Sequence, residues 1–88
     1  MTDIKNEFQQ AATDVQNLAK RPSNDELLSL YALYKQAQEG DVSGKKPGLL
    51  DIKGKAKYNA WTEIKGMDNE TAMKKYITLV GKLKKQYA

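Results

Sequence analysis

The segment SNDELLSLYALYKQAQ, residues 23–38, decides the fold class. Ser23 and Glu26 stand at the capping-box spacing, so each side chain can satisfy an amide that the first helical turn leaves without a partner. Leu27, Leu30, Tyr31 and Tyr34 then recur at intervals of three and four, which lays them along one face of a helix from about residue 24 to 38. Upstream, Ile4, Phe8, Ala11, Ala12, Val15 and Leu18 repeat the same periodicity and predict a helix over about 3–19, which Arg21 and Pro22 interrupt. Downstream, Gly40, Gly44, Pro47 and Gly48 mark a twelve-residue connection from Glu39 to Leu50, long enough to cross the length of a bundle. Asp51 can cap a third helix with Ile52, Ala56, Ala60, Trp61 and Ile64 as its apolar stripe, ended by Gly66. Asp68 can cap a fourth, with Ala72, Met73, Tyr76, Ile77, Val80, Leu83 and Tyr87 on one side. No strand-like alternation and no internal repeat occurs, so the chain reads as all-α, a four-helix bundle. The long middle connection lets the second and third helices run parallel; periodicity alone is compatible with up-down-down-up and with up-down-up-down.

The length of 88 residues suits one domain with one core, spanning 1–88. About 40% of residues are hydrophobic and 30% charged, a composition of folded rather than disordered chains. The sequence holds neither cysteine nor histidine. It therefore lacks thiolate nucleophiles, disulfides, and the commonest general base and transition-metal ligand. Asp25 and Glu26 complement a helix start, and Asp14, Glu39 and Glu63 stand isolated on polar faces, so no acid and base pair emerges. The expectation is a protein without catalysis, metal or cofactor. Met1 to Lys5 suggest neither a secretory signal nor a myristoylation start, and no stretch approaches the roughly 20 apolar residues of a membrane span. A cytoplasmic monomer without stable membrane insertion suits these features, with transient membrane or enzyme contact allowed.

The net charge is +4, and fourteen of the fifteen basic residues are lysine, Arg21 being the sole arginine. Lysine acts on phosphate as a mobile point charge, whereas reading base edges favours the guanidinium fork. Phosphate binding is thus favoured over nucleic-acid recognition, although a basic helical nucleic-acid-binding or protein-interaction module is the alternative. Tyr31, Tyr34 and Lys35 cluster on the second helix, and Lys53 and Lys57 lie four apart on the third. Facing each other, they would form a phosphate site beside an aromatic platform. The competing reading makes the tyrosines rim residues and the lysines a solvated face. Gly54, early in a helix, points either to close approach by a ligand or helix or to a loosely formed first turn. Lys82, Lys84 and Lys85 suit the dipole of a helix C-terminus, Trp61 suits a core anchor, and Tyr76 fits either a core or a site.

The segments YALYKQAQEGDV, Tyr31 to Val42, and KKPGLLDIKGKAKYNAW, Lys45 to Trp61, closely resemble the signature of the acyl-CoA-binding protein family. The resemblance extends over essentially the whole chain, including Phe8, Ala11, Ala12, Pro22, Ala72, Met73, Tyr76 and the lysine-rich end. It implies an up-down-down-up bundle that carries medium- and long-chain acyl-CoA esters and has no catalysis. By position, it assigns Tyr31, Lys35 and Lys57 to the 3′-phosphate and neighbouring groups of the CoA head, Tyr34 to the vicinity of adenine, and Lys53 and Tyr76 to the completion of the site. Phe8, Ala12, Leu27 and Leu28 are implied to line the acyl chain's path. Two positions depart from the family's pattern: Gln16 stands where well-known members carry a lysine that helps bind the head group, and Tyr58 replaces a tryptophan common in the third helix.

Overall fold

A computed structural model describes residues 3–87; the N-terminal reading at Met1 and Thr2 lies outside them. Four helices follow in order, α1 (Ile4–Gln16), α2 (Asn24–Glu39), α3 (Ile52–Glu63) and α4 (Asn69–Gln86), with no strand among the described residues. Each helix begins at a side chain suited to the task. Asp3 accepts from the Lys5 amide, Asp51 from the Gly54 amide, and Asp68 from the Thr71 amide, while Ser23 and Glu26 complete the expected capping box. α1 stops at Gln16, three residues short of the expected end, yet Leu18 still packs against the core from the connection.

The direction of each helix follows from its contacts. Lys84 near the end of α4 pairs with Asp14 near the end of α1 at 3.1 Å, so these two run parallel. Asn69 at the start of α4 donates to the Ala37 carbonyl near the end of α2 at 2.8 Å, and Tyr87 donates to Glu26 at 2.7 Å, so α2 and α4 are antiparallel. On α3, Lys57 lies over Tyr31 and Trp61 beside Gln36, so α2 and α3 are parallel. The order is up-down-down-up, as the family resemblance implied.

Phe8, Ala11, Leu30, Ala37, Ala72, Tyr76, Val80 and Leu83 form the central core, drawn from α1, α2 and α4. Among the described residues, α3 packs only on α2 and contributes Trp61 as its one buried residue. Its indole N–H donates to Gln36 Oε1 at 3.0 Å and to the Gly40 carbonyl at 2.9 Å. Ile52, expected in the stripe of α3, is instead 78% exposed. α3 packs along its length on α2 and on neither α1 nor α4, so one neighbour covers one side of the helix and Ile52 at its start is left outside it. Gly66, expected to end α3, lies three residues past its end, in the turn to α4, at φ +96°, a backbone conformation that favours glycine.

Candidate functional site

A cleft of about 960 Å³ opens between α1, α2 and α3. Its walls are laid down by the helical repeat. The 12, 15 and 16 positions bring Ala12, Val15 and Gln16 of α1 to one side, and Leu27, Leu28, Leu30, Tyr31 and Tyr34 of α2 form the floor. Lys53, Ala56 and Lys57 of α3 face them, Tyr76 of α4 reaches in from the core, and Arg21, Pro22 and Asn24 close the α1–α2 end.

Eight of the ten residues singled out in the sequence meet in this cleft: Tyr31, Tyr34, Lys53, Lys57, Tyr76, Ala12, Leu27 and Leu28. Lys35 and Phe8 do not line it. The Lys35 ammonium is engaged by Glu39 one turn on and lies 5.3 Å from the centre of the Trp61 ring. Glu39 pushes the Lys35 pKa up, since its carboxylate accepts a hydrogen bond from the ammonium and favours the charged form. Phe8 is only 1% exposed and sits behind the cleft wall. Its ring stacks on Tyr34 at 5.3 Å between centroids and meets Tyr76 edge-on at 5.0 Å, so it fixes the orientation of two cleft tyrosines.

Gln16, the position where the family resemblance implied a head-group lysine, also lines the cleft, whereas sequence reasoning missed Val15, Arg21, Pro22, Asn24, Leu30 and Ala56 as lining residues. Arg21 and Pro22 lie in a connection, where periodicity carries no information about direction. The one available signal was chemical: Arg21 is the chain's single guanidinium, and its Nη1 donates to Asn24 Oδ1 at 3.4 Å.

The electrostatics of the cleft are one-sided. Arg21, Lys53 and Lys57 contribute cations, and among the described residues no carboxylate lines it. Lys57 Nζ lies 5.3 Å from the centre of the Tyr31 ring, near enough for a cation–π attraction that holds the charge beside an aromatic face. Burial pushes the Tyr76 phenol up to about 12, so it stays neutral at any physiological pH and serves as a hydroxyl rather than a base. No cluster of three metal-ligating side chains occurs among the described residues. Such a cleft can hold an anionic group against its basic wall while an attached apolar chain lies along Ala12, Val15, Leu27 and Leu28.

Comparison with known proteins finds chains of similar sequence and fold. A family model described as acyl CoA binding protein matches residues 5–80. An acyl-CoA-binding protein homolog of Drosophila melanogaster is 53% identical over 85 residues, covering 97% of this chain and 99% of its own. The acyl-CoA-binding protein of Dictyostelium discoideum is 48% identical over 81 residues, covering 92% of this chain and 96% of its own. Among solved structures, the crystal structure of Oryza sativa acyl-CoA-binding protein 2 superposes with a TM-score of 0.90 at 37% identity, over 96% of this chain and 93% of that one.

Proposed function

This chain belongs to the acyl-CoA-binding protein family, and from that premise we propose that it binds medium- and long-chain acyl-CoA esters in the cleft between α1, α2 and α3, as a carrier and pool-former without catalysis. The observation that carries this reading is the meeting of two surfaces in one cleft: three cations with no opposing carboxylate among the described residues, and a run of aliphatic side chains. A CoA head needs the first. The acyl chain needs the second, since each methylene withdrawn from water contributes about 0.8 kcal/mol.

In this reading Lys57 and the Tyr31 hydroxyl take the 3′-phosphate, Tyr34 lies near adenine, and Lys53 and Tyr76 complete the head-group site. Lys35 joins them by exchanging Glu39 for a ligand phosphate, a rotamer change in a long side chain. Ala12, Leu27 and Leu28 line the acyl path, and Phe8 supports it from behind through Tyr34. Arg21 supplies a cation on the wall where Gln16 lacks one. The whole chain acts as one monomeric domain in the cytoplasm, and no helix of the described residues is long and apolar enough to cross a membrane.

Calorimetric titration with palmitoyl-CoA, free CoA and free palmitate tests the assignment. The ester binds far more tightly than either half, because neither half alone meets both surfaces. Equal affinity for palmitate and its CoA ester would remove the head-group site.

A further inference from the structure

Leu49, Leu50 and Ile52 are 83%, 98% and 78% exposed, three large aliphatic side chains bared within four consecutive residues. Single exposed leucines are ordinary on protein surfaces, but a run of them at the tip of a connection is not. Their neighbours are basic: Lys45 and Lys46 precede them, and Lys53 follows, all exposed. Residues 45–57 contain five lysines against Asp51 alone, so this stretch carries a charge equal to the whole chain's +4, and the remaining residues balance at ten of each sign. Asp51 remains an anion within the stretch, already counted in that balance, and its Oδ1 is turned to the Gly54 amide at 3.0 Å as the cap of α3.

We propose that residues 45–53 form a docking foot for an anionic lipid bilayer, with Leu49, Leu50 and Ile52 entering the headgroup boundary and Lys45, Lys46 and Lys53 held by lipid phosphates and carboxylates. The charge pattern selects this occupant: half of the molecule's net +4, three lysines against Asp51, falls within the nine residues that carry its most exposed apolar side chains. A protein partner is a poorer fit. The patch offers aliphatic tips without the aromatic or arginine anchors that dominate protein interfaces. The foot also adjoins the ligand cleft, since Lys53 belongs to both and Ala56 and Lys57 follow within a turn. On the carrier reading, an acyl chain would move between bilayer and cleft beside the foot with little exposure to water.

The test is cosedimentation with sucrose-loaded vesicles of phosphatidylcholine containing about 30% phosphatidylserine, and of phosphatidylcholine alone, with no acyl-CoA present. Its failure would therefore leave the carrier reading standing, and a failure of that reading in calorimetry would leave the foot standing. The wild type is expected to sediment with the anionic vesicles and far less with the neutral ones. Replacing Leu49, Leu50 and Ile52 together by serine should lower partitioning at least about tenfold, and Lys45→Ser and Lys46→Ser about fivefold each. Both sets should keep the wild-type melting temperature and palmitoyl-CoA affinity, since none of these side chains lines the cleft or the core. Should the triple variant not fold, Leu50→Ser alone, at the most exposed of the three positions, gives the same readout. A wild type that stays in the supernatant overturns the proposal. So does a triple variant that sediments unchanged, which would mean charge adhesion without insertion. A triple variant that keeps its vesicle binding but loses palmitoyl-CoA would assign the three side chains to covering the ligand instead.

Discussion

At the scale of single residues, Gln36 ties three parts of the chain together. It is fully buried, yet its amide donates to Asp41 at 3.0 Å and to the Met67 carbonyl at 2.7 Å while its oxygen accepts from Trp61. Asp41 is the charged end of this group, and it also accepts the Gly66 amide at 2.7 Å. These donors, Gly66 first and Gln36 second, hold the Asp41 carboxyl below its ordinary range because they favour the ionised form. With a folded pKa below the unfolded one, its contribution is complete above an ordinary aspartate value of about 3.9 and is lost as pH falls through the lowered folded value. Asp41→Asn should therefore be less stable than wild type at pH 7, with the gap closing below about pH 4. Urea midpoints measured down the pH scale check this, and a constant gap would mean that the charge contributes nothing. The proposed phosphate site allows a sharper residue-level test. Charge-assisted hydrogen bonds contribute about 1.5–3 kcal/mol each, so dephospho-palmitoyl-CoA should bind wild type at least about tenfold more weakly than the intact ester. Lys57→Ala should weaken the intact ester comparably, and the two changes together should cost clearly less than the sum of each alone. Lys84→Ala, whose ammonium pairs with Asp14 away from the cleft, should be additive with the dephospho change. Strict additivity for Lys57 would take it out of the phosphate site.

At the scale of elements, the start of α3 shows what a pattern of residue types conveys and what it leaves out. Gly54 left two readings open, and the geometry supplies a third: a Cβ built there would lie 2.3 Å from Asp51 Oδ2, so the glycine makes room for the capping carboxylate. Gly54→Ala should thus lose a cap worth about 1 kcal/mol while gaining about 1 kcal/mol of helix propensity, for a net change near zero. In an Asp51→Ala background, already about 1 kcal/mol less stable, the same Gly54→Ala change should stabilise by up to about 1 kcal/mol. Chemical denaturation of the four proteins decides it, and equal effects in both backgrounds would detach the glycine from the cap. The caps at Ser23, Asp51 and Asp68 were legible because a cap acts on amides two or three residues away. The stripes of α1, α2 and α4 were legible because each packs on two partners or on a broad core face. The exposure of Ile52 was not, since burial depends on which helices a given turn can reach. Lys35 stands outside the cleft lining for a related reason. Periodicity places a lysine on a helix face, but a four-carbon stem can turn along the helix to Glu39 or across to a ligand. Arg21 sits outside any repeat, and its presence in the cleft is a product of tertiary assembly.

At the scale of the whole molecule, α1 and α3 do not pack on one another; α1 packs on α4, α4 on α2 and α2 on α3, and the cleft lies in the gap between the first and last of these. A ligand in this cleft touches three helices, and it gives α3 a second attachment beyond α2. Binding should therefore stabilise the molecule twice over, globally by mass action and locally at α3. A ligand bound only by the native state adds RT ln(1 + [L]/Kd) to the unfolding free energy, about 2.7 kcal/mol at a hundredfold excess over Kd. For a domain of this size each kcal/mol raises the melting temperature by roughly 4–8 °C, so palmitoyl-CoA at that excess should raise it by roughly 10–20 °C. Free CoA at the same concentration should raise it far less, because it leaves the contacts with Ala12, Leu27 and Leu28 unmade. The local effect belongs to hydrogen exchange, which reports openings below the global unfolding free energy. Amides of α3, held to the body through α2 alone, should gain more protection from palmitoyl-CoA than those of α4, which is already packed against both α1 and α2. Equal gains in the two helices would mean that α3 opens only when the whole chain unfolds. No thermal shift under conditions where calorimetry registers tight binding would mean that the unfolded chain takes up the ester as readily as the folded one, and the cleft would then not be its site.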